Sequence, residues 1–550
     1  MTPIPSDQPD LRFVAGVGLV VVAFTALVFF LLRPMGWGPA EESGGPAETI
    51  SKPEPRPGWG NPGHEAVEWA TAEAEDDGPD IDYEALAEGR DGEYLVRFRD
   101  QAALDRFLAA MRKAGLAAPH VSRVLRTALL NADQFKLAQG LLEPGDEVLP
   151  NYYVFTPAPP QQGEVQDGAV GFGGSLPAWL GVGGDRSTWG WGVLVAVVDS
   201  GLTSHANLPA GTREIDLVGQ GGRSSHGTAV ASLISGSGDL APGLAPAANL
   251  LSVRVTDASG MSSSLLLAEG IIAAADYGAR LINISLGSTG DSSVVRDAIA
   301  YAQARGALIV AAAGNEGTSG LDYPAAYPGV VSVGSVDANS NHLDFSNTGA
   351  GITTAAPGLD LNAAWQTDQY IRFSGTSAST AVVTGALAAI MSFDTSGQTS
   401  ASEALALYKA YLNDAGPPGN DIYYGGGIPD LARILQRGTP GIFDAAVAGQ
   451  VLEPATQPGY NPTWLVTVQN RGTEALVNTS VGIQTPSGTV TRNITIIRPG
   501  AIATVGIPFS PQWLGAGTAP TITATASVDI GTRDQRPANN TRADAVSVKK

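Results

Sequence analysis

The 550-residue chain contains no cysteine, which excludes thiol catalysis, thiolate metal sites and disulfide staples together. Histidine is almost as scarce: His64, His120, His205, His226 and His342 are the whole supply. None stands in an HExxH spacing, so a histidine-based zinc site of that kind is absent. Charge is thin at 15% of residues, and positive charge thinner: 32 Lys and Arg against 53 Asp and Glu leave a formal net charge of −21. A polyanion would meet the wrong sign of field over most of that surface, which argues against nucleic acid as a partner. Apolar residues make up 43% of the chain, enough for an ordinary globular core, and the length implies several domains.

Long apolar runs are also rare, and the main one lies near the start. Residues 13–32, FVAGVGLVVVAFTALVFFLL, follow a short tail at 1–12 and are bracketed by Arg12 and Arg33. The run matches the ~20 residues a bilayer requires, exceeds a secretory h-region and lacks a small-residue cleavage site. It reads as a transmembrane signal anchor whose orientation one arginine on each side leaves open. Residues 33–90 are rich in Pro, Gly, Glu and Asp, the composition of a flexible linker. Order is expected over 91–156, where EYLVRF, DQAALDRFLAAMRKAG, VSRVLRTALL, residues 133–142 and DEVLPNYYVFTP predict a β-α-β-α-β sandwich. Residues 157–184 read as a loop-like linker. Over 185–437, continuous apolar runs such as VLVAVVDS, ANLLSVRV, ARLINISLG and GALIVAAAGN alternate with helical patterns. That is the pattern of an α/β, doubly wound parallel sheet. Residues 438–550 switch to short alternating strands, which predict an antiparallel β-sandwich.

In open α/β sheets, sites gather at the carboxyl ends of the strands. VAVVDSG ends its apolar run on Asp199, IVAAAGNEG ends another on Asn315, SSHGTAVA sets His226 before a helix, and FSGTSAST sets Ser377 before another. Each alone has a plainer reading, as a cap, a turn residue or close helix packing. Together they supply what a hydroxyl nucleophile needs: a base, a carboxylate to fix the tautomer of that base, and an oxyanion donor.

VAVVDSG, HGTAVA, SLG, AAAGNEG and GTSAST, in that order, resemble the subtilisin-like serine proteases over about residues 191–435. The resemblance implies an Asp-His-Ser triad of Asp199, His226 and Ser377, with Asn315 and the Ser377 N–H as the oxyanion hole. It implies that Ser285, Leu286 and Gly287 pair with an extended polypeptide substrate, and that Ala312, Ala313 and Gly314 line the opposite wall of the primary side-chain pocket. Asp322 aligns with the base of that pocket and Glu316 with its rim; either both acids point into solvent, or they face the pocket and would favour Arg or Lys there. The family's usual Met after the nucleophile is Ala378, its Pro four positions on is Ala381, and Ser232 replaces a usual Gly; none of these is a reacting group.

The same comparison likens 91–156 to the family's propeptides, intramolecular inhibitors and folding chaperones with EVLPNYYVF as the closing strand. Residues 157–184 would then be the processing linker. It likens 438–550 to adhesion-related sandwich domains of the CARDB type, which would bind a cell-surface or protein ligand. A single-pass membrane protein with an extracytoplasmic catalytic domain follows, released when the linker is cut. No cofactor is required; loop acids such as Asp216, Asp257 and Asp344 leave structural calcium open, with solvated carboxylates the default. Two alternatives remain at this level: a pseudoprotease acting in adhesion or scaffolding, and an esterase or peptide ligase on the same triad.

Overall fold

A computed structural model describes residues 89–160, 164–393, 399–454, 461–510, 513, 521–531 and 533–547. The predicted anchor at 13–32 and nearly all of the linker at 33–90 lie outside the described residues. Among the described residues no helix is long and apolar enough to cross a membrane.

The first ordered region is built from β1 (Glu93–Arg97), α1 (Gln101–Lys113), β2 (His120–Ser122), β3 (Thr127–Asn131), α2 (Ala132–Ala138) and β4 (Glu147–Pro150). Asp100 caps α1 by accepting from the Ala103 N–H at 2.7 Å, and Leu104, Phe107 and Met111 bury its inner face. The four strands form one sheet in the order β2-β3-β1-β4, with antiparallel neighbours. Two expectations need correction. VSRVLRTALL is a hairpin rather than one strand, because the chain turns back at Arg123–Arg126 with Arg126 at φ 53°. The order is therefore β-α-β-β-α-β. EVLPNYYVF is also divided: β4 closes this sheet, while β5 (Tyr153–Phe155) leaves it to pair with β9 (Met261–Ser263).

The central domain carries β6 (Leu194–Asp199), β7 (Arg213–Asp216), α3 (His226–Ser235), β8 (Asn249–Arg254), β9, α4 (Ser264–Asp276), β10 (Leu281–Ile284), α5 (Ser293–Gln303), β11 (Leu308–Ala312), β12 (Val331–Val336) and β13 (Thr354–Pro357). The hairpin β14 (Leu361–Trp365) and β15 (Gln369–Phe373) then leads to α6 (Thr376–Ser392), α7 (Ala401–Ala410) and α8 (Leu431–Gln436). Seven strands form one parallel sheet ordered β13-β12-β11-β10-β6-β8-β7. Alternate residues of β6 face opposite ways. Val195 and Val197 join the core under α3 and α6, and Ala196 and Val198 join the core under α4 and α5. Winding reverses between β6 and β10, so the crevice opens at their carboxyl ends. Within the predicted linker at 157–184, Phe172, Leu176, Leu180 and Val182 are buried in the α3–α6 core.

The remaining strands are β16 (Ala445–Glu453), β17 (Thr463–Asn470), β18 (Leu476–Thr485), β19 (Gly488–Ile497), β20 (Ile502–Pro508), β21 (Thr521–Asp529) and β22 (Thr541–Ser547). They form two sheets, β16-β17-β20 and β19-β18-β21-β22, around a shared core that includes Trp464, Val466, Val481, Ile483 and Val528. Two antiparallel sheets thus face each other across one core.

Candidate active site

Asp199 ends β6 fully buried, and His226 opens α3 at 6% exposure. His226 Nδ1 lies 2.9 and 3.0 Å from the two Asp199 carboxylate oxygens. A carboxylate can only accept, so Nδ1 is the donor of this pair and Nε2 is left for another partner. Asp199 Oδ1 also accepts from the Ser200 N–H at 2.7 Å, which fixes the carboxylate in turn. The imidazole is held from the side by an edge-on contact with Phe373, ring centres 5.3 Å apart. Glycine is required next to His226: a Cβ on Gly227 would collide with the Gly201 carbonyl and approach Asp199 Oδ1 to 3.2 Å.

Ser377 is the second residue of α6 and 2% exposed. Its N–H is among the first four of the helix, which have no intrahelical acceptor and carry the positive end of the dipole. Asn315, just past β11, presents its Oδ1 to the Thr376 N–H at 2.9 Å and to the Thr376 hydroxyl at 2.8 Å. The Asn315 amide is thereby turned outward, and Nδ2 donates to the carbonyl of Ala158 at 3.0 Å. The Ser377 hydroxyl donates to the Ser285 carbonyl at 3.4 Å, while His226 Nε2 is buried without a hydrogen-bond partner among the described residues. Ser285 Oγ reaches back to the Ser377 carbonyl at 3.2 Å.

The profile described as "Subtilase family" matches residues 190–427. The chain is 37% identical over 213 residues to the thermostable alkaline protease of Halalkalibacterium halodurans, covering 38% of this chain and 59% of that one. It is 36% identical over 211 residues to subtilisin Savinase of Lederbergia lenta, covering 38% of this chain and 78% of that enzyme. The chain belongs to the subtilase family. A solved structure of the prenylagaramide maturation protease PagA overlays at TM-score 0.41 and 30% identity, covering 47% of this subtilase and 96% of that chain.

In this subtilase the edge segment after β10 pairs with another part of the same chain. Gly287 and Phe155 exchange both backbone hydrogen bonds at 2.9 Å, Leu286 being buried behind them. Thr156 N–H donates to the Gly260 carbonyl at 2.9 Å on the other side. Residues 153–158 are therefore a strap laid in the cleft as an added strand, ending on the carbonyl that Asn315 holds. Ala312 and Ala313 are buried. Gly314 takes φ 111°, and its N–H donates to the Thr376 hydroxyl at 3.3 Å. The acids are placed with them. Asp322 is 7% exposed, its N–H donates to the Ala313 carbonyl at 3.0 Å, and its Oδ2 has no hydrogen-bond partner among the described residues. Glu316 Oε2 accepts from Asn347 Nδ2 at 2.7 Å. Burial pushes the Asp322 carboxyl well above its usual range, with the Glu316 charge adding to the effect.

Thr376, Phe373, Asn347 and the strap were not singled out in the sequence. Thr376 was detectable, since Asn315 needs a donor to orient its amide and the residue before Ser377 is a threonine. Among the described residues no group of three or more His, Cys, Asp or Glu side chains is arranged to hold a metal ion. Asp216 Oδ1 and Asp257 Oδ1 are instead taken up by N–H groups of their own turns.

Proposed function

We propose that this subtilase is a serine endopeptidase working through Asp199, His226 and Ser377. The observation that carries the reading is Asn315 Nδ2 on a peptide carbonyl, beside the nucleophile's helix and in register with a strand paired to Gly287. His226 Nε2 takes the Ser377 proton as Oγ attacks the substrate carbonyl carbon. The oxyanion is received by Asn315 Nδ2–H and the Ser377 N–H. Collapse expels the amine, which leaves with the proton from His226, and the acyl group stays on Ser377. Water, deprotonated by the same imidazole, then releases the acid. Asp199 holds the tautomer and stabilises the imidazolium.

The region at 91–156 acts in this reading as an inhibitor that delivers the strap to the cleft, and the sandwich at 438–550 as a spacer or ligand-binding module. Labelling with a fluorophosphonate and peptide mapping tests the nucleophile. The probe is expected on Ser377, and Ser377→Ala should remain unlabelled. Matched peptide and ester substrates then separate a peptidase from an esterase, and label on another serine contradicts the assignment.

A further inference from the structure

Asp322 is the least accounted-for charged group near the cleft. It is over nine-tenths buried, yet one carboxylate oxygen has no partner among the described residues. Buried polar atoms in a purely structural role are nearly always paired, and burying an unpaired carboxylate is costly. The position of that oxygen is informative. A Cβ on Gly287 would collide with it, and a Cβ on Gly314 would lie 2.8 Å from it and 2.6 Å from Glu316 Oε2. Gly287 belongs to the segment that pairs with the strap, and Gly314 immediately precedes Asn315. Asp322 and Glu316 thus meet at the glycine surfaces that flank the bound carbonyl.

We propose that Asp322 and Glu316 form the floor and rim of an anionic side-chain pocket that takes the Arg or Lys of a polypeptide on the acyl side of the scissile bond. The proposal rests on the endopeptidase reading and adds the substrate class. Glu316 is positioned by Asn347, which is 1% exposed and donates to it, and the Thr318 N–H in turn holds Asn347 Oδ1 at 2.9 Å. The Glu316 charge acts on Asp322 and the Glu164 charge on Glu316, which Asn347 and backbone N–H groups also hold by hydrogen bonds; among the described residues neither acid forms a salt bridge. The charge is therefore left for a ligand to answer. The strap does not answer it, because Ala158, the residue whose carbonyl Asn315 holds, carries only a methyl side chain. A metal ion fits poorly, since Asn347 presents an N–H donor rather than an oxygen to Glu316. A guanidinium or ammonium on an apolar stem supplies donors to both carboxylates.

The test uses the full chain as Ser377→Ala, which binds without turnover, and pairs of peptides identical but for arginine or its uncharged isostere citrulline at the acyl-side position. The strap weakens both peptides by one common factor, so their ratio reads the pocket. The arginine peptide should bind about 10–100-fold more tightly, the range of a charge-assisted hydrogen bond. Asp322→Asn should bring the two together, with Glu316→Gln between. Equal binding of the pair, a ratio untouched by Asp322→Asn, or no binding of either peptide at millimolar concentration overturns the pocket. A matching series on the wild type separates the two claims. Preference in binding with no hydrolysis of any peptide defeats the endopeptidase reading alone, and hydrolysis indifferent to arginine defeats the pocket alone.

Discussion

Asn315 uses both ends of one side chain: Oδ1 is held by Thr376, and Nδ2 is thereby aimed at the Ala158 carbonyl. Asn315→Ala should lower kcat about 10²–10³-fold with KM little changed, because the lost donor acts chiefly on the oxyanion. Gly375 guards the same amide. Its φ of 122° suits glycine, and a Cβ there would stand 2.9 Å from Asn315 Nδ2. Gly375→Ala should therefore lower kcat by a comparable factor in a protein whose circular dichroism is unchanged. The acids of the pocket add a pH dependence. Burial raises Asp322 and, less strongly, Glu316, which also feels Glu164. A cationic side chain is attracted only by the ionised form, so the ratio of kcat/KM for arginine over leucine substrates should grow as pH rises through those raised values. A flat ratio between pH 5 and about 9 would contradict this.

The strap shows how an element acts through its neighbours. Its carbonyl in the grip of Asn315 belongs to Ala158, so the bond that follows it is the peptide bond to Pro159. Val154, fully buried in the core with Leu267 and Val295, anchors it. Val154→Asp should loosen the strap and raise the initial rate of peptide hydrolysis at least about tenfold, since a buried unpaired carboxylate opposes the bound form. An unchanged rate would show that the strap does not limit access. Much of this element level was legible beforehand. β6, β8, β10 and β11 announce themselves as continuous apolar runs because both faces are covered, and Asp199 and Asn315 mark where two of those runs end. The hairpin of β2 and β3 was not legible, since its turn contains neither Gly nor Pro and relies on Arg126 at φ 53°. Nor was the departure of β5 for β9 and Gly287, because backbone pairing between distant segments leaves no local signature.

The central domain and the sandwich are joined through polar groups rather than through a shared apolar core. Arg433 on α8, 4% exposed, donates to the carbonyls of Tyr411, Leu412 and Arg471, while Arg471 donates to the Asp414 carbonyl. Gln469 ties both ways, accepting from the Asp414 N–H and donating to the Leu412 carbonyl. Burial pulls the Arg471 guanidinium down to about 10. Arg471→Ala removes the donors to the Asp414 carbonyl and to Gln469 Oε1 and should cost about 2–4 kcal/mol in denaturant unfolding, with little effect on kcat. His342 gives the whole molecule an acid limit. Burial holds it down to about 4 against an ordinary 6.5, so the folded state binds fewer protons than the unfolded one between those values. Its contribution is complete above about 6.5 and is lost as pH falls towards 4, and His342→Gln should flatten the stability profile in that window. The central claim is tested most directly by the rate of peptide hydrolysis by the full chain, wild type beside Ser377→Ala, in both the native and the Val154→Asp background. The account predicts hydrolysis by both Ser377 proteins and a fall of about 10⁶-fold, to background, in both alanine variants. Equal rates with and without the Ser377 hydroxyl, or no hydrolysis even in the loosened Val154→Asp protein, would contradict it.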